Sequence, residues 1–121
     1  MVNYFFDTYA LIELVKSNPS YAIFINEPVT TTKFNLAELF YILLEEFGEE
    51  KAKLHFVRFR EFEVGIPDEI LFKAVIFRLK NKKKRLSYAD CIGYVFALES
   101  KLKFLTGDDA FKNMDNVEFV K

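Results

Sequence analysis

At 121 residues with 51% hydrophobic content, the chain has enough apolar material for one compact domain over residues 1–121, and it lacks the low hydrophobicity and high net charge of a disordered polypeptide. Its formal net charge is only −1, so attraction to nucleic acid cannot come from the chain as a whole and needs a local cluster of Lys and Arg. A lone cysteine, Cys91, excludes an internal disulfide and a cysteine-based zinc site. Asp7 interrupts the N-terminal apolar stretch too early for a signal peptide, and no apolar run approaches the roughly 18 residues of a membrane span, so a cytoplasmic protein with no membrane partner is expected.

The chain opens on Asn3 to Phe6, a short apolar strand, followed by Tyr9 to Val15, the start of an amphipathic helix, with ionised Asp7 at the junction. "SNP" at Ser17 to Pro19 breaks that helix, and a second helical piece runs from Ser20 to about Asn26. The β-branched run Val29 to Thr32 predicts a second strand. In "NLAELFYILLEEFG", Asn35 stands where an N-cap belongs, apolar residues recur at Leu36, Leu39, Phe40, Leu43, Leu44 and Phe47, and Gly48 stops the helix. A further helix covers Glu49 to Arg60, "EFEVG" supplies a third strand, and Pro67 starts a helix that runs to the basic "KNKKKR". "LSYADCIGYVFALESKL" is helical with Ser87 as its cap; "KFLTGDD" is a buried strand ending in a Gly turn, "AFKNM" a helical turn and "VEFV" a last strand. This alternation predicts a three-layer α/β/α fold, with helices on both faces of a central, mostly parallel sheet of four to five strands.

In an open α/β sheet the site lies outside the carboxyl ends of the strands, so acids at strand-to-helix junctions are the residues to weigh. Asp7 follows the first strand, Glu38 and Asp90 lie near the starts of their helices, and Asp108 and Asp109 follow "KFLT". Each has an innocent explanation. Asp7 and Asp108 suit N-caps, while "NLAE" and "SYAD" fit the capping-box pattern. Together they ask for more, because a parallel sheet brings these helix starts to one edge, where like charges raise one another's pKa unless a cation neutralises them. Carboxylate oxygens without His or Cys suit a hard divalent ion, Mg²⁺ or Mn²⁺, which bridges to phosphate and supports phosphodiester hydrolysis.

Taken in order, "YFFDTYALIELV", "NLAELFYILL", "RLSYADCIGYVFALE" and "FLTGDDAF" resemble the four acid-bearing segments of PIN-domain nucleases, a family that includes the VapC-type toxins of VapBC toxin–antitoxin pairs. The likeness spans essentially the whole chain. It implies a central parallel sheet, Mg²⁺- or Mn²⁺-dependent cleavage of an RNA substrate, frequent homodimers and, in many members, a small antitoxin partner. By position it makes Asp7, Glu38, Asp90 and Asp108 the catalytic and metal-binding acids, with Asp109 an alternative to Asp108. Thr8 and Thr106 are the supporting hydroxyls. Cys91 and Gly93 stand where Ala is usual, which removes no acid.

Beyond the acids, Lys82, Lys83, Lys84 and Arg85 either meet an RNA backbone or form a solvated helix end. Phe56, Phe59 and Phe62, with Leu54 and Val57, belong to the core or to an apolar surface for a partner. His55 has no acid beside it in a motif, and Cys91 reads as a small buried side chain. Haloacid-dehalogenase-like phosphotransfer needs an acid at position 9, where Tyr9 stands, and a response receiver needs an acidic pair and a late Lys that are absent. A PIN-type RNA-processing nuclease without an antitoxin and a non-catalytic PIN-like binding module are the remaining alternatives.

Overall fold

The computed structural model describes residues 2–121. Half-buried Tyr4 and fully buried Phe5 and Phe6, the last two on opposite sides of the backbone, form the strand β1 (Tyr4–Phe6), which runs into α1 (Thr8–Val15). Pro19–Phe24 is a 3-10 segment, capped by Asn18, whose side chain accepts from the Ser20 N–H. Next come β2 (Thr31–Thr32), α2 (Lys33–Phe47), α3 (Glu49–Arg60), β3 (Glu63–Val64) and α4 (Asp68–Lys80). A 3-10 turn at Lys82–Lys84 leads to α5 (Tyr88–Glu99), then β4 (Lys103–Thr106), a turn at Asp109–Phe111, and β5 (Val117–Phe119). Gly48 separates α2 from α3 at φ 87°, a left-handed geometry that a residue with a Cβ resists.

All strand pairs are parallel. Within the sheet, β1 pairs with β4 and β4 with β5, while β2 pairs with β3. The expected single sheet of four to five strands is therefore divided, with three strands in the order β1-β4-β5 and a separate pair β2-β3. The reason lies in the shortness of β2. One backbone bond, from Phe6 N–H to Thr30 O at 2.9 Å, links it to β1, and the Thr31 hydroxyl, not a backbone N–H, donates to Phe6 O at 3.1 Å.

Strand alternation sorts the core into two layers. Phe5 and Phe104 point to one face, where they meet Ile92, Tyr94 and Val95 of α5 and Ile70 and Ala74 of α4. Phe6 and Leu105 point to the other, against Leu11 of α1, Leu36, Leu39 and Leu43 of α2, and Phe59 of α3. Helices thus cover both faces of the sheet. Phe59 is core, Phe56 and Phe62 pack against it, and only Leu54 and Val57 of that group are exposed.

α5 sits close on β1 because Gly93 has no side chain: a Cβ there stands 2.7 Å from the Phe5 ring. That ring is fully buried and stacked on Phe104 at 5.8 Å, so it has no room to retreat. Gly93→Ala is expected to lower stability by about 1–2 kcal/mol in urea unfolding, overpacking outweighing the better helix propensity of Ala.

Candidate active site

The ends of β1 and β4 and the starts of α2 and α5 meet at one edge, around a cavity of about 400 Å³ lined by Asp7, Thr8, Glu38, Asp90 and Asp108, with Arg85 and Ser87. Asp7 is 1% exposed and continues the strand ladder through its N–H, which donates to Leu105 O at 3.1 Å. It occupies the N-cap position of α1 but makes no side-chain capping bond. Its Oδ2 instead accepts from the Thr106 hydroxyl at 2.7 Å, and its Oδ1 is buried with no hydrogen-bond partner.

The cap of α2 is Thr32, not Asn35: the Thr32 hydroxyl accepts from the Asn35 N–H at 3.2 Å. Both residues cap well, and the extended backbone of Thr32 directly after β2 takes the role. Asn35 moves one turn inward and is fully buried, donating through Nδ2 to Thr8 Oγ1 at 3.1 Å. Glu38 consequently has no capping duty. Its Oε1 accepts from the Thr8 hydroxyl at 2.9 Å.

The two remaining acids do cap. Ser87 and Asp90 form a complete capping box, Asp90 Oδ2 accepting from the Ser87 N–H at 2.9 Å. Asp108 Oδ1 accepts from the Ala110 N–H at 3.0 Å at the start of the last 3-10 turn. Asp108 lines the cavity, whereas exposed Asp109 lies outside it and pairs with Lys121 at 3.2 Å. A pattern runs through all four cavity acids. One carboxylate oxygen is anchored, and among the described residues the other makes no hydrogen bond within the chain.

Two threonines anchor Glu38 and Asp7 in the same way. Thr8 accepts from Asn35 and donates to Glu38; Thr106 accepts from the Asp108 N–H at 3.1 Å and donates to Asp7. Asn35 thus holds the Thr8 hydroxyl at the cavity, a contact that the sequence, presenting it only as a cap, did not announce, and the polar run Thr31, Thr32, Asn35 ahead of an apolar helix was the available signal.

Burial, followed by the neighbouring Asp90 charge, raises the Asp7 pKa well above the carboxylate range, with the Thr106 hydroxyl pulling the other way. Burial also pushes Asp90 up to about 6, opposed by the Ser87 N–H and assisted by Glu38 and Asp108. Arg85 is the cation of the lining. It holds a left-handed backbone, φ 55°, immediately before Leu86 and the Ser87 cap. Lys82, Lys83 and Lys84 line no part of the cavity, and Lys84 donates to Ala110 O at 3.3 Å. His55 and Cys91 stand apart from it; burial lowers the His55 pKa and pushes the Cys91 thiol up to about 11.

Among the described residues no group of three or more His, Cys, Asp or Glu is drawn close enough to hold a metal ion as it stands. The donor chemistry nevertheless fits a hard cation. The buried, unpartnered Asp7 Oδ1 needs a positive partner, and the oxygen-only set suits Mg²⁺, which keeps several waters and asks for one or two carboxylates, not a closed cage.

Comparison with known proteins agrees with this architecture. A family model described as PIN domain matches residues 4–117. A toxin–antitoxin complex from Klebsiella pneumoniae is 17% identical, with a TM-score of 0.70 over 96% of this chain and 96% of that chain. VapBC2 from Rickettsia felis, bound to a DNA fragment from its promoter, is 19% identical with a TM-score of 0.73 over 100% of both chains. PAE2754 from Pyrobaculum aerophilum is 19% identical with a TM-score of 0.66, covering 98% of this chain and 90% of that chain. No curated protein matches. No helix among the described residues is long and apolar enough to cross a membrane.

Proposed function

The chain belongs to the PIN domain family, and from that premise we propose that it is a Mg²⁺- or Mn²⁺-dependent endoribonuclease, the homodimeric toxin of a toxin–antitoxin pair. The observation that carries the nuclease reading is the orphaned, buried Oδ1 of Asp7 in a cavity shared with Glu38, Asp90 and Asp108. The toxin and antitoxin part is supported by the likeness in fold to the Klebsiella and Rickettsia proteins.

The free oxygens of Asp7, Glu38, Asp90 and Asp108 are the proposed metal-facing groups, and a bound divalent ion supplies a Lewis acid for the phosphoryl oxygens and an acidified water. The chain contributes the rest. Arg85 holds the phosphate by charge and by its forked N–H donors, offsetting the negative lining. Tyr9 and Tyr41 on the cavity wall offer rings on which an unpaired base stacks. Asp90, whose carboxyl burial makes more basic than a free carboxylate, is the side chain proposed to take the proton of the attacking water. As that water's oxygen bonds to phosphorus, the bridging oxygen leaves with the electron pair.

Purified protein is expected to cut single-stranded RNA in Mg²⁺ or Mn²⁺ and to lose that activity in EDTA; undiminished cleavage in EDTA rules the mechanism out. Expression in a bacterial host is expected to arrest growth, and arrest that survives loss of Asp7 overturns the toxin reading.

A further inference from the structure

We infer that Lys121 is a second phosphate-holding residue of the acid-lined site, taking the RNA phosphate next to the one that Arg85 holds, so that the strand crosses this edge of the sheet from one helical layer to the other. The inference rests on the nuclease reading and adds to it the path of the substrate. Its first support is position. Lys121 Nζ lies 3.2 Å from Oδ1 of Asp109, the neighbour of the cavity acid Asp108, and 5.9 Å from the ring centroid of Tyr9, which forms part of the cavity wall. Lys121 thus stands at the rim, outside the lining itself. The backbone fixes it there. The Val120 N–H donates to Thr106 O at 2.9 Å, and Val120 O accepts from the Tyr21 hydroxyl at 2.6 Å. Because the Thr106 hydroxyl also holds Asp7, one residue ties the segment carrying Lys121 to the buried acid. Gly107 keeps these parts close: a Cβ there would run into Val120 O and the Tyr9 ring. Asp109 takes one of the three ammonium donors, and the others stay open to solvent on a side chain that is 58% exposed.

The layers give the path its direction. Arg85 adjoins Leu86, which packs in the layer of Phe5 and Phe104, whereas Lys121 adjoins Val120, which packs in the layer of Phe6 and Leu105. Asp7 and Asp108, at the ends of β1 and β4, stand between those layers, so the two cations reach the acids from opposite faces of the sheet. A polyanionic strand held at Arg85 alone meets four cavity carboxylates with a single cation to offset them. A second cation on the far side lowers that repulsion at the next phosphate. An ammonium suits this role, since it binds phosphate as a point charge and asks for no fixed approach by a flexible single strand. Tyr41 belongs to α2, which packs in the same layer as Val120, and its ring is 62% exposed. The base of the nucleotide between the two phosphates therefore has a stacking surface on the Lys121 side of the cavity.

The bond that the wild type cuts in a short single-stranded oligoribonucleotide is mapped first, in Mn²⁺. Lys121→Ala is then expected to raise KM about fivefold at low salt, with kcat and melting temperature unchanged, and Lys121→Arg to restore it. The alanine variant is also expected to reduce the slope of log KM against log salt by about 0.7, the share of one single-strand phosphate contact. Oligoribonucleotides with one methylphosphonate linkage, neutral where a phosphate was charged, locate that contact. Next to the cleaved bond, on one side of it, the neutral linkage is expected to raise KM about fivefold in the wild type and no further in Lys121→Ala. A wild type that cuts no RNA overturns the nuclease reading and the role of Lys121 with it. A wild type that cuts, with KM unchanged in Lys121→Ala or with losses that add at every linkage, overturns Lys121 alone.

Discussion

Asp7→Asn is expected to cut RNA cleavage by at least about 10²-fold, the scale of losing one positioned acid–base or charge-stabilising group, while raising the melting temperature of the metal-free protein by about 5 °C. The two effects have one cause. Asp7 is 1% exposed, its Oδ1 has no partner, and the charge of Asp90 stands against it, so the ionised form costs the fold free energy. Asn keeps the shape and can still accept from Thr106 through Oδ1, and it places a donor where the orphaned oxygen stood. Stabilisation on the order of 1 kcal/mol follows from removing one buried like charge. Asp109→Asn is the matched control. It changes an exposed carboxylate paired with Lys121, and neither rate nor melting temperature is expected to move appreciably. The measurements are initial cleavage rates in Mn²⁺ and thermal melts in EDTA. Full activity in Asp7→Asn removes Asp7 from the chemistry, and lost activity with a lowered melting temperature makes its role structural.

Much of the fold is legible because local signals agree with one another. Ser87 and Asp90 specify a capping box and form one, and Gly48 specifies a break and provides one with a positive φ that other residues resist. The apolar runs around Phe5 and Phe104 specify strands buried on both faces, and those residues fill the centre of the core. The errors fall where two local signals compete and tertiary contacts decide. Thr32 and Asn35 are both good caps; burial of Asn35 against Thr8 gives the role to Thr32, and that releases Glu38 from the capping box its spacing suggested. The doublet Asp108 and Asp109 is ambiguous for the same reason, since which acid caps the turn depends on where Thr106 holds the loop. Division of the sheet is not legible either, because the β-branched run from Val29 predicts a longer strand than the two residues that pair with β3. Arg85 lay in a run of like charges, and its separation from the lysines follows from a left-handed backbone that no side-chain pattern announces.

A second large effect is expected in the pH dependence of stability. Asp7 and Asp90 both carry pKa values raised by burial, Asp90 to about 6, against an unfolded value near 3.8. Below the unfolded pKa both states are protonated and the contribution of these groups to stability is fully present. Between the two values the unfolded chain releases protons that the fold retains, so the unfolded state binds fewer and the slope of stability against pH is negative. Stability from these acids is therefore lost as pH rises from about 4 through about 6, and further up for Asp7. Melts of the metal-free protein are expected to show that fall, and Asp90→Asn, in which the amide oxygen still accepts from the Ser87 N–H, is expected to flatten it by about 1–2 kcal/mol across the window. A divalent ion acts in the opposite direction, because it binds the folded acids and not the unfolded chain. Raising Mg²⁺ at pH 7.5 is expected to restore the lost stability with a logarithmic dependence on concentration, and to do so far less in Asp7→Asn. A melting temperature independent of both pH and Mg²⁺ in the wild type shows that the four carboxylates do not act as one charged cluster, which removes the physical basis for a metal at this edge of the sheet.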